Sequence, residues 1–70
     1  MILKVLYDAD VDAASIDLVA PHEGMIERTI EAVDQTILLH FDKQDHLVSI
    51  EVLRAKSVLP SETLRAACRR

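Results

Sequence analysis

Along most of its first 53 positions the chain alternates apolar and polar residues, the period-two signature of strands with one buried face. The first run, about 2–7, sets Leu3, Val5 and Tyr7 on one side. Asp8, Asp10 and Asp12 then interrupt it with a turn-favouring composition. A second run, about 13–19, points Ala14, Ile16 and Leu18 inward and Ser15 and Asp17 outward. A helix over Asp8 to Ala20 competes here, because Val11, Ala14 and Leu18 also have helical spacing. The three aspartates and the alternation after them favour the strand. Pro21-His22-Glu23-Gly24 is the strongest loop signal in the chain. Three more runs follow at about 25–33, 36–42 and 47–53. Their inward residues are Ile26, Ile30 and Ala32, then Ile37, Leu39 and Phe41, then Val48, Ile50 and Val52.

Register can be tested against this pattern. With Gln44-Asp45 as a two-residue hairpin loop, Phe41 faces Val48, Leu39 faces Ile50 and Ile37 faces Val52. A loop one residue longer mixes the faces. With Asp34-Gln35 as the preceding turn, Ala32 faces Ile37 and Ile30 faces Leu39. In that register Glu27 faces Asp42, a like-charge pair on the outer surface. Both hairpins share one core face, which predicts an antiparallel five-strand β-meander. Past residue 53 the period changes. Pro60 suits a first helical turn, Glu62 sits near its start, and Arg65, Arg69 and Arg70 gather near its end. Leu64, Ala67 and Cys68 make a short apolar stripe. The expectation is one C-terminal α-helix over about 60–68, and so an α+β fold.

Seventy residues make one small domain, 1–70, and 22 of them are Ile, Leu or Val, too many for a disordered segment. Tyr7 and Phe41 are the only aromatics, which nearly excludes base stacking on aromatic platforms. A net charge of −4 argues against binding nucleic acid or an anionic membrane. The single cysteine, Cys68, allows no internal disulfide and points to a reducing cytoplasm. No apolar run is long enough to span a bilayer, and the start does not read as a signal peptide. Charge is unevenly placed. Residues 8–51 carry eleven acids against Arg28 and Lys43, a net of −9, whereas residues 52–70 carry a net of +4. Leu6, Leu38, Leu47 and Leu53 interrupt the polar outer face, and one short helix cannot cover both faces of a sheet. A homodimer is the expected remedy for so small a core.

Tyr7-Asp8, the segment Asp12-Ala13-Ala14-Ser15-Ile16-Asp17-Leu18, Ile37-Leu38-Leu39-His40-Phe41-Asp42, and Leu47-Val48-Ser49-Ile50-Glu51-Val52-Leu53 together resemble a family of small bacterial proteins. It is the domain-of-unknown-function family numbered 2283, and the resemblance covers roughly residues 3–53. The family tends to carry Asp-Gly where this chain has Gln44-Asp45, and Gly where Ser49 stands. Asp accepts a positive φ less readily than Gly, so strain or another turn type is expected there. The resemblance implies no catalytic residues. Some relatives lie beside genes for small toxin-like ribonuclease folds, which implies an antitoxin-like role.

Candidate chemistry is sparse. Asp8, Asp10 and Asp12 begin like a calcium loop, but the glycine and glutamate that such a loop needs are Ala13 and Val19 here. A solvated acidic turn is the expectation. His40, Asp42 and His46 could together hold a transition metal, which makes a metal-binding protein the alternative function. Incidental surface histidines are the commoner outcome, and His22 has no evident partner. Cys68 at a helix C-terminus gains nothing from the dipole, and no nucleophile–base motif or phosphate-cradling loop is present. The leading expectation is therefore a non-enzymatic homodimer without cofactors that offers an acidic sheet face to a basic protein.

Overall fold

The computed structural model of the chain describes residues 3–69. Its strands follow the alternation closely: β1 (Lys4–Asp8), β2 (Ala13–Asp17), β3 (Arg28–Val33), β4 (Ile37–Phe41) and β5 (Leu47–Leu53). Two short helices, α1 (Ala55–Val58) and α2 (Ser61–Ala66), and a two-residue strand β6 (Cys68–Arg69) complete the chain. The α+β class holds, with a six-stranded mixed sheet and one helix more than expected. Ile2, at the expected start of the first strand, and Arg70 lie outside the described residues.

The sheet is not a meander. Its order is β3-β4-β5-β2-β1-β6, so β2 pairs with β5 and not with β3. Alternation decides which face a residue takes, but it is blind to which neighbour a strand has. Burial decides that: β5 buries Val48, Ser49 and Val52, and a strand with so many buried residues belongs in the sheet interior. A meander would leave it at an edge. The stretch between β2 and β3 therefore crosses β5 and β4, about 14 Å at a spacing of ~4.8 Å per strand. Leu18 N–H still donates to the Val48 carbonyl (3.0 Å), and Glu27 N–H donates to Phe41 (2.8 Å) as the chain enters β3. Ile26, expected inward, is instead 46% exposed on this crossing.

Both expected hairpins form, each with a shift at one end. Ile30 faces Leu39, Leu39 faces Ile50, and Ile37 faces Val52. Beyond these, Phe41 faces Leu47 in place of Val48, and Val33 in place of Ala32 faces Ile37, with irregularities at His40/Phe41 and Glu31/Val33. The first shift follows from the turn. The Asp42 carboxylate accepts N–H bonds from Gln44 (3.0 Å) and His46 (2.9 Å), and Asp45 takes a left-handed φ of 68°. A turn closed by a left-handed residue inserts one extra residue. At the other end of the β3–β4 ladder the expected register holds as far as Arg28, and Glu27 lies one residue before β3. Arg28 faces Phe41, stacks 4.7 Å above its ring and forms an ion pair with Asp45.

After β5 the chain passes through α1 and α2 and returns as β6, parallel to β1. The extended backbone of Ala67 (φ −69°, ψ 149°) ends α2 two residues short of the expected end, so Cys68 lies on a strand and not on a helix. Pairing with the free edge of β1 outweighs another turn of a marginal helix. The core is one row of side chains, Tyr7, Ala14 and Val52, roofed by Ala55, with Ile50, Leu59, Leu64 and Ala67 packed around it. Small residues at 14 and 55 let the helical segment approach the sheet. This covered side is face A. The opposite side, face B, carries neither helix.

Candidate functional site

Pairing registers assign the paired strand side chains to faces. Thr29, His40, Ser49, Asp17 and Lys4 form one row across face B, and Glu31, Leu38, Glu51, Ser15 and Leu6 form the next. Charge is sorted by face. The strand carboxylates Asp8, Asp17, Glu31 and Glu51 all lie on face B, with Lys4 as the only strand cation beside them among the described residues. Both strand arginines, Arg28 and Arg69, lie on face A, where Arg69 stands 5.3 Å above the Tyr7 ring.

At the centre of face B, His40 bridges two strands. Its Nδ1 lies 2.8 Å from the Thr29 hydroxyl and its Nε2 lies 3.3 Å from Glu51 Oε1. With the proton on Nε2, the ring donates to the carboxylate and accepts from the hydroxyl. Hydroxyl, imidazole and carboxylate in series have the connectivity of a hydrolytic triad. Here the hydroxyl sits on the edge strand, outside the groove that His40 and Glu51 line. These contacts link β3, β4 and β5 across face B.

That groove has a volume of about 280 Å³ and runs over β5 and β2. Asp17 and Ser49, directly paired across the two strands, line its floor, and each is only 7% exposed. Val11 and Ile26, 68% and 46% exposed, stand along it. Sequence alone assigns Asp17 to the outer face and treats it as one more solvated acid. Its burial becomes legible only once β2 is known to lie beside β5. His40 opposite Ser49 could have been found from the last hairpin alone.

The metal alternative is not supported. His40 is engaged by Thr29 and Glu51 in mid-sheet, whereas Asp42 and His46 belong to the turn. There Asp42 caps backbone N–H groups and His46 keeps 77% of its side chain exposed. Among the described residues no group of three or more His, Cys, Asp or Glu side chains is arranged to hold a metal ion. His22 sits in the exposed crossing, its Nδ1 3.2 Å from the Glu23 carbonyl oxygen. Cys68 is exposed beside Leu6.

The acidic turn has more structure than expected. Asp12 is half-buried and left-handed (φ 53°), and its Oδ1 accepts the Tyr7 hydroxyl (2.8 Å) and the Lys56 N–H (3.0 Å). Its carbonyl accepts Ala55 N–H at 2.9 Å. Asp12 thereby ties the first hairpin to the start of α1. The hydrogen bond to Asp12, followed by desolvation and the aspartate's charge, holds the Tyr7 phenol above its ordinary pKa of 10.0, with Arg69 opposing.

Fold and face together define a small α+β protein with a helix-covered basic side and an open acidic side. Residues 4–56 match the family described as protein of unknown function (DUF2283), and the chain belongs to that family. No curated protein and no solved structure matches the chain significantly. No helix among the described residues is long and apolar enough to cross a membrane.

Proposed function

We propose that this protein is a homodimeric, cytoplasmic interaction module that acts by binding, not catalysis, and offers face B to a basic protein. The observation that carries the reading is the sorting of charge: carboxylates on the uncovered face, arginines on the other. A face of one sign speeds encounter with partners of the opposite sign and rejects those of its own. The antitoxin-like role implied by the family resemblance is the version in which the basic partner is a ribonuclease. Low-salt co-purification from the native host should recover a basic protein that is released as salt rises. Recovery of the homo-oligomer alone would contradict the proposal.

Edge strand β3 supports the dimer. All six of its residues are exposed, and Ile30 and Val33 add unburied apolar surface at 39% and 50%. An edge left open in this way is a template for another strand. Two copies joined edge to edge, antiparallel and two-fold symmetric, keep like faces together, so the axis passes through a residue position. An axis at Glu31 opposes two Glu31 side chains, and one at Thr29 opposes Glu27 and Glu31; like charges so placed are destabilising. An axis at Ile30 avoids both and joins the two isoleucines on face A. Ile30→Lys should therefore convert the dimer to monomer in sedimentation equilibrium. Unchanged mass would rule this edge out.

A further inference from the structure

Asp17 and Ser49 are each 7% exposed, and neither side chain makes a hydrogen bond or ion pair among the described residues. Among the described residues no fully occluded side-chain nitrogen or oxygen lacks a partner, so the oxygens of this pair still reach the groove they line. Such a pair is costly to bury and leaves acceptors in want of donors. Glu51 adds a third acceptor: His40 engages its Oε1, and the carboxylate is a diagonal neighbour of Asp17 across the β2–β5 ladder. Val11 and Ile26 supply apolar walls beside this polar floor.

We infer that the groove over Asp17 and Ser49 seats a guanidinium group, an arginine side chain of the basic partner; the inference deepens the docking reading and rests on it. A guanidinium brings five N–H donors in one plane, keeps its charge at any accessible pH and is more weakly hydrated than an ammonium. Its donors match the carboxylates and the hydroxyl on one sheet face, and its methylene stem lies against Val11 and Ile26. The volume of about 280 Å³ admits such a side chain without rearrangement of the sheet.

The test is an amide NMR titration of the full chain with N-acetyl-arginine amide and with its neutral isostere, N-acetyl-citrulline amide. The arginine compound should shift the amides of residues 15–17 and 49–51 saturably, and the citrulline compound should not. Asp17→Asn should weaken the arginine compound at least tenfold while raising Tm, because an unpartnered buried charge is removed. Glu51→Gln should weaken it as well. Glu31→Gln, on the same face but outside the groove, should leave it unchanged. Equal shifts from citrulline, equal weakening by Glu31→Gln, or no localised shift would overturn the inference. A lower Tm for Asp17→Asn would also overturn it, marking Asp17 as a structural partner. Capture of a basic protein that survives Asp17→Asn discards the groove and keeps the docking face. Arginine binding with no basic protein captured discards the docking face and keeps the groove.

Discussion

Asp12 and Tyr7 show how much a single contact carries in so small a core. The Tyr7 ring fills the core row while its hydroxyl reaches Asp12, which also receives Lys56 N–H from 44 residues away. The raised phenol pKa has a stability consequence. The folded state holds the phenolic proton more tightly than the unfolded chain does. The stabilisation is thus fully present below the unfolded value near 10 and is lost as pH climbs through the folded one. Urea midpoints should fall above about pH 10 in the wild type, and Tyr7→Phe should lack that component of the fall. Parallel curves for the two proteins would contradict this. From sequence, Tyr7 was legible as a core residue and Asp12 as a turn residue. The bond between them was not, because it depends on where α1 returns.

At the scale of elements, one glycine in 70 residues leaves tight turns to residues with side chains. Asp12, Gln35, Asp45 and Arg54 all take left-handed backbone, with φ between 52° and 68°. Each pays a steric cost of roughly 1 kcal/mol that glycine would not. Gln35 contributes only its backbone N–H, bonded to Glu31 Oε2 at 2.9 Å. Gln35→Gly should therefore raise Tm by roughly 5 °C, read by calorimetry. Asp45→Gly should gain less, because it also removes the ion pair with Arg28. An unchanged Tm for Gln35→Gly would show the turn to be unstrained. The departure from Asp-Gly at residues 44–45 was a visible warning of this conformation. Strand faces and the central register were equally legible, since period two and a shared core face leave few choices. Strand neighbours were not: Ala14 and Ile16 satisfy the same face beside β3 or β5. Only the burial of β5 separates the two arrangements, and burial is a property of the assembled sheet. The two-residue β6 has no period to detect.

For the whole molecule, the net charge of −4 conceals two sides of opposite character. The acidic 8–51 segment and basic 52–70 segment were evident in the sequence. That the helices pass over face A and leave face B without a helix required the crossover after β5. In the proposed function face B, and not net negative charge, recruits a basic partner. The most direct measurement compares two double variants with the same change in charge, each used to capture the partner at low salt. Glu31→Lys with Glu51→Lys reverses face B, whereas Glu23→Lys with Glu62→Lys reverses exposed acids on the crossing and on α2. The partner should be lost with the first pair and retained with the second. Equal retention, or equal loss, would contradict the account.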